Sequence, residues 1–189
     1  QIRLIGSQGR AFTGMKIRII DKNGKDVATS EVGEVHISGP TLFKGYWHQP
    51  EATKSSFTSD GFFKTGDLGK FDEQGWLSLV GRKKEMILFA GENVYPMEVE
   101  RVIYEHPAVD VAAVIGIPDK TYGELVKAVV QLKKDCALTK EQLSAHCEAS
   151  LARFKVPAVI DFVSCIPMTG SGKVNKCMLA GRADVTDDL

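Results

Sequence analysis

The sequence runs to 189 residues, 43% of them hydrophobic, and its 24 lysines and arginines balance its 24 aspartates and glutamates. That length supplies one ordinary domain or two small ones with a real core, and a balanced charge removes the overall field that draws a protein to nucleic acid or an anionic membrane. No apolar run approaches the roughly 20 residues that span a bilayer, and Cys136, Cys147, Cys165 and Cys177 are too few and too scattered for a disulfide-stapled domain.

Four reduced thiols and a cytosolic or organelle-matrix location are therefore expected, with no charged-then-apolar leader at the start. Gln1-Ile2-Arg3 lacks an initiator Met and runs straight into patterned sequence, so a piece of a longer chain is expected. From residue 15 to 81 the pattern predicts short strands. Ile17 and Ile19 alternate with Lys16 and Arg18, and Asp21-Lys22-Asn23-Gly24 supplies hairpin turn chemistry. Val35 and Ile37 repeat the alternation, then Phe62-Phe63-Lys64 and Trp76-Leu77-Ser78-Leu79-Val80 follow, so four or more strands precede any convincing helix.

The texture changes after Arg82. Met86-Ile87-Leu88-Phe89 reads as one strand, and Pro96 opens a helix at its first turn, where a missing N–H costs nothing. Val99, Val102 and Ile103 fall on one face of that helix, which should stop before Pro107. Residues 109–117 are a β-branched run suited to a buried strand, and 125–132 read as its partner. Thr139 with Gln142 forms a capping box for a helix whose Leu143, Cys147 and Leu151 recur every fourth residue and which ends by Pro157. A last strand over 158–163, a Gly/Ser/Thr/Lys-rich loop over 167–176 and a short helix over 176–183 close the sequence. The whole predicts an α+β fold.

Three segments carry candidate chemistry. The first joins Gly45-Tyr46-Trp47 and Pro50-Glu51-Ala52-Thr53 to Phe63-Lys64-Thr65-Gly66-Asp67; taken alone, it reads as a turn in which Asp67 caps its own backbone. The second runs from Gly81-Arg82-Lys83-Lys84 to Gly91-Glu92-Asn93-Val94-Tyr95-Pro96, and a hairpin with a solvated basic edge would produce it as well. The third is Pro167-Met168-Thr169-Gly170-Ser171-Gly172-Lys173-Val174-Asn175-Lys176, which by itself could be a surface loop with incidental lysines. A Walker phosphate loop is rejected, because Pro167 stands where Gly is needed and Val174 where Ser or Thr is needed. No zinc-ligand spacing, dinucleotide fingerprint or serine elbow occurs.

In order and spacing these segments, with Gly33-Glu34-Val35-His36-Ile37-Ser38-Gly39-Pro40 upstream, resemble the adenylate-forming superfamily of acyl-CoA synthetases, peptide-synthetase adenylation domains and luciferases. The resemblance implies a β-barrel-like subdomain over 1–81, which ends a large amino-terminal domain, followed by a mobile α+β carboxy-terminal lid over 82–189 with a short central sheet flanked by helices. It implies ATP and CoA as co-substrates, a carboxylic acid as acyl donor, and Mg²⁺ held by a motif that this sequence lacks. Partners would be these small molecules and the rest of the same chain, with no nucleic acid.

Residue by residue, the resemblance makes Lys173 the catalytic lysine, Asp67 and Arg82 ribose contacts of the nucleotide, and Lys84 the hinge. Gly91, Glu92 and Asn93 would face the CoA arm, Gly91 leaving room for it. The Gly91-Glu92-Asn93-Val94-Tyr95-Pro96 stretch is similar to that of CoA ligases for fatty and aromatic acids. Lys64 replaces a common Arg, and Phe89-Ala90 precede Gly91 where many members have a second Gly or a Ser. No phosphate-binding loop, magnesium motif or acyl pocket of the family is present, so the fragment should be inactive alone. The alternatives are an adenylation domain that loads a carrier protein and a non-catalytic binding module that keeps the fold.

Overall fold

The computed structural model describes residues 6–181, which divide between Lys84 and Glu85 into two units, each built around its own sheet. In the first unit, strands β1 (Lys16–Ile20), β2 (Gly33–Ser38), β3 (Phe63–Phe71) and β4 (Leu77–Arg82) pair antiparallel in sequence order. Alternation along β1 and β2 sends Ile19 and Val35 to one face, where they pack with Leu77 under Ile17, Val27, Ile37, Phe71 and Leu79. The Asp21 carboxylate accepts the N–H groups of Asn23 and Lys25 at 2.8 and 2.9 Å, bonds that hold it below the usual carboxylate range. That turn returns β1 to a single bridge at Asp26 rather than to its strand partner, since β2 begins only at Gly33.

The barrel-like fragment is an open sheet among the described residues: β1 and β4 are separate edges, and β4 is extended by a bridge from Gly9 to Leu77. Four strands linked to their nearest neighbours lack the number and stagger that closure requires. A helix, α1 (Pro50–Ser56), also interrupts the strand run. Pro50 in its first turn and Glu51 beside it are the start signal that the strand reading passed over.

The second unit contains β5 (Ile87–Phe89), β6 (Glu92–Val94), α2 (Pro96–Tyr104), β7 (Val109–Asp119), β8 (Gly123–Leu132), α3 (Lys140–Glu148), β9 (Val159–Val163) and α4 (Lys176–Leu179). The sheet order is β6-β5-β8-β7, with β9 parallel to β8 and the other pairs antiparallel. Val99, Val102 and Ile103 of α2 lie on Val114, Val126 and Val130 of the β7–β8 pair and on Leu143 and Cys147 of α3, all at most 2% exposed. The capping box of α3 is present: Thr139 accepts the Gln142 N–H, and Gln142 accepts the Thr139 N–H.

That helix stops at Glu148, well before Pro157; the backbone is extended at Ala152, and a 3₁₀ turn over Arg153–Lys155 follows. Leu151 reaches the core from beyond the helix end. The closing helix ends at Leu179, and its expected last residues, 182 and 183, lie outside the described residues. The architecture is α+β, and no helix among the described residues is long and apolar enough to cross a membrane.

Candidate functional site

In the first unit the site residues sit on the β3–β4 ladder, where Asp67 and Arg82 are register partners. Gly66 adopts φ +72°, and the register slips beside Leu68. The Thr65 hydroxyl donates to the Val35 carbonyl at 2.8 Å and accepts the Asp67 N–H at 3.0 Å, so Thr65 makes the local cap that the sequence alone suggested for Asp67. The Asp67 carboxylate instead meets Arg82, with Nε 2.8 Å from Oδ1, and both side chains stay partly exposed. This sets a two-oxygen acceptor beside a five-donor cation on a rigid ladder, a pairing suited to vicinal hydroxyls and a neighbouring anion.

Next to Arg82, Lys83 reaches back to Glu34 on β2, with Nζ 2.8 Å from Oε2. Burial pushes the Glu34 carboxylate up, but Lys83 and then His36 outweigh it and leave Glu34 below its ordinary range. His36 is buried, and its Nε2, 3.7 Å from Glu34, has no hydrogen-bond partner among the described residues. Burial first, with the Lys64 and Arg18 charges, lowers its pKa and outweighs the raising effect of Glu34.

In the second unit, Gly91 sits at the tip of the β5–β6 hairpin and Glu92 and Asn93 begin β6, paired with Phe89 and Leu88. Ala90 and Gly91 are the two loop residues, with φ +49° and +88°, the signs of a type I′ turn. Nothing lies within 4 Å of the position a Cβ on Gly91 would take, so the backbone conformation accounts for glycine there. The hairpin is held from the side: the Ala90 N–H donates to the Tyr122 carbonyl at 2.8 Å, and Phe89 stacks on Tyr122 with ring centroids 5.0 Å apart. Lys84 occupies the middle of a 3₁₀ turn over Lys83–Glu85.

Lys173 is exposed on a bonded hairpin, not a loose loop. Met168 and Val174 form a bridge, the Thr169 N–H donates to the Lys173 carbonyl at 2.7 Å, and the Thr169 hydroxyl accepts the Lys173 N–H at 3.1 Å. Gly172, at φ +78°, makes the turn. Lys176, just beyond, pairs with Glu85 at 2.7 Å and Glu100 at 2.8 Å.

The fold thus joins Asp67 to Arg82 in one unit and places Gly91, Glu92, Asn93 and Lys173 in the other. Two family profiles match the sequence: that of the AMP-binding enzyme over residues 1–47 and that of the AMP-binding enzyme C-terminal domain over 98–173. The chain belongs to the adenylate-forming superfamily of AMP-binding enzymes.

This superfamily member is 42% identical to a probable CoA ligase of Humulus lupulus over 97% of its own length and 32% of the relative's. It is 41% identical to a feruloyl-CoA synthase of an Amycolatopsis species over 91% of itself and 35% of that protein. The Bacillus subtilis o-succinylbenzoate CoA synthetase, solved with its acyl-adenylate intermediate, superposes with a TM-score of 0.88 at 35% identity, covering 93% of this chain and 36% of that one. The chain spans about a third of the length of the curated relatives it matches.

Lys173 is the last residue inside the C-terminal match, whereas Asp67, Arg82, Lys84 and Gly91 to Asn93 fall between the two matched spans. The ionic anchors at Glu34, Lys83, Glu85, Glu100 and Lys176 escaped the sequence reading, because each pair joins residues dozens of positions apart with no spacing to reveal it. Among the described residues no group of three or more His, Cys, Asp or Glu side chains is placed to hold a metal ion.

Proposed function

We propose that this superfamily member is the carboxy-terminal part of an AMP-forming acid–CoA ligase. The complete enzyme joins a carboxylate to the α-phosphorus of ATP with loss of pyrophosphate, then passes the acyl group to the CoA thiol with loss of AMP. The observation that carries the reading is Lys173 directly after the turn of a hydrogen-bonded hairpin, exposed and three residues from an ionic anchor. Adenylation brings two anions together, so an ammonium on a long stem, presented from an ordered turn, lowers the barrier by neutralising and positioning them. The Asp67–Arg82 pair would take the ribose hydroxyls: a carboxylate accepts both, and the guanidinium keeps the carboxylate oriented. The hairpin of Gly91, Glu92 and Asn93 would face the CoA arm after the second unit turns about Lys84, the proposed hinge.

CoA is preferred as acceptor because the relatives above are named as CoA ligases and synthetases, and the Gly91 to Pro96 stretch resembles that of ligases for fatty and aromatic acids. Mg²⁺ accompanies ATP in the expected reaction, but the described residues do not fit a metal site, so no step is assigned to it here. Lys173→Ala in the complete enzyme tests the reading. Acid-dependent ATP–pyrophosphate exchange should fall about 100-fold to 1,000-fold, the usual cost of losing one positioned charge from a transition state. Thioester formation from supplied acyl adenylate should be nearly unchanged, and equal losses in both half-reactions would reject the assignment.

A further inference from the structure

The loop that carries Lys173 is fixed at both ends by different means. On the leading side, Ile166 is 1% exposed, and its N–H donates to the Gln131 side-chain oxygen at 2.9 Å on β8. On the trailing side, Lys176 retains only 22% of its side-chain exposure, with Nζ 2.7 Å from Glu85 Oε2 and 2.8 Å from Glu100 Oε1. The two carboxylates come from different elements. Glu100 lies on α2, and its Oε1 also accepts the Val114 N–H of β7 at 2.8 Å; Glu85 closes the 3₁₀ turn that contains Lys84. One ammonium with three donors therefore binds the end of the loop to α2 and to the turn beside the proposed hinge. Burial opposes its charged form, but Glu100 and Glu85 outweigh burial and hold the pKa above that of an ordinary lysine.

The bonds inside the hairpin shape it but do not fix its direction. Thr169, Gly172 and Lys173 bond within the 167–175 segment in its backbone ladder, while Asn175 both closes the ladder on the Pro167 carbonyl and caps α4 through the Met178 N–H. Direction comes from the two ends, and the trailing anchor stands three residues from Lys173.

We propose that Lys176 is the positioning residue for Lys173: its pairs with Glu85 and Glu100 aim the hairpin and make it move as one body with the residue that follows the hinge. The role rests on reading Lys173 as the adenylation lysine. Without Lys176, two carboxylates would face each other across the vacated site and repel, releasing the trailing strand. A displacement of about 1 Å at a charge that bridges two reactants costs on the order of 100-fold in rate.

The test uses the complete enzyme and separates the half-reactions. Lys176→Met should lower kcat for acid-dependent ATP–pyrophosphate exchange by about 10-fold to 100-fold, with KM for acid and ATP, and thioester formation from supplied acyl adenylate, held within about twofold. Lys176→Arg should recover adenylation to within about threefold, because a guanidinium also reaches two carboxylates. Glu85→Gln leaves Glu100 to hold the charge and so keeps the fold; it should cost about threefold to 10-fold in the same half-reaction only. In a Lys173→Ala background, Lys176→Met should cost nothing more, the signature of one residue acting through another. Normal adenylation by Lys176→Met or Glu85→Gln, equal losses in both half-reactions, or a multiplied loss on top of Lys173→Ala would overturn the positioning role. Normal adenylation by Lys173→Ala alone would instead overturn the reading of Lys173 on which it depends.

Discussion

Ala90 holds φ +49°, a conformation in which its Cβ crowds the following carbonyl. The β5–β6 turn needs positive φ at both loop residues, and only Gly91 supplies it without strain. Ala90→Gly should therefore stabilise the second unit by about 0.5–1 kcal/mol, once the extra chain entropy of glycine is subtracted from the relief, which urea unfolding followed on that unit would measure. The same geometry sharpens the test of Gly91. Any ordinary side chain there strains the turn, so loss of the CoA step alone would not identify a passage for CoA. Asn tolerates this conformation, so Gly91→Asn should leave folding and adenylation intact and slow thioester formation; an unchanged thioester rate would mean that glycine serves only the turn.

Cys147 offers a residue-scale check on the core. Burial, helped by the Glu148 charge, pushes its thiol up to about 11, while Cys136, Cys165 and Cys177 are exposed. A maleimide should label those three in the native chain and reach Cys147 only on unfolding of the second unit.

At the scale of elements, the proposed hinge is confined by its neighbours. Lys83 is paired with Glu34 inside the first unit, and Glu85 with Lys176 inside the second. Rotation that keeps both pairs must be taken up by the backbone between them, at Lys84. A 3₁₀ turn has φ near −50 to −70°, so proline suits position 84 itself, although it disfavours the helical conformation of Lys83 before it. Lys84→Pro in the complete enzyme should therefore spare adenylation and stop thioester formation, with acyl adenylate accumulating on the enzyme; a folded variant that makes thioester at the normal rate would move the pivot elsewhere.

Much of this architecture was legible because local chemistry sets it. Thr139 and Gln142 form their capping box, Pro96 begins α2, and Val99, Val102 and Ile103 are all buried. Where distant partners decide, the sequence was silent. Helix α3 ends at Glu148, although the four-residue spacing continues to Leu151, because the chain turns extended at Ala152. The same limit applies to the candidate site. Asp67, Arg82 and Lys173 stand out in their motifs, but Lys176 looks like one more loop lysine until Glu85 and Glu100 fold onto it.

For the molecule as a whole, the balanced charge of the sequence conceals two units with different sensitivities. Each carries a histidine whose pKa is lowered, His36 in the first by burial and His106 in the second by burial and by the neighbouring His146. His36 faces Glu34 on its own strand, Arg18 on β1 and Lys64 on β3; Glu34 raises its pKa, and burial first, then the two cations, lower it and prevail. The folded state therefore takes up a proton at His36 less readily than the unfolded chain. Its stability is full above the unfolded histidine value of about 6.5 and is lost as pH falls below it. One such group gives a slope no steeper than about 1.4 kcal/mol per pH unit. The lowered carboxylates Asp21, Asp26, Asp60 and Glu34 act in the same direction, but only below about pH 4.5, where the unfolded chain protonates them.

Between pH 7.5 and 5.5 the first unit should thus weaken through His36. Both tryptophans, Trp47 and Trp76, lie in that unit, so their fluorescence during urea unfolding reports it apart from the second. His36→Gln removes the titrating group and should flatten the pH dependence of that signal, while His106, far along the sequence in the other unit, continues to weaken its own. If the tryptophan transition of His36→Gln still shifts with pH as the parent does, another group in the first unit controls it, and the orphaned imidazole is not the acid-sensitive element of this sheet.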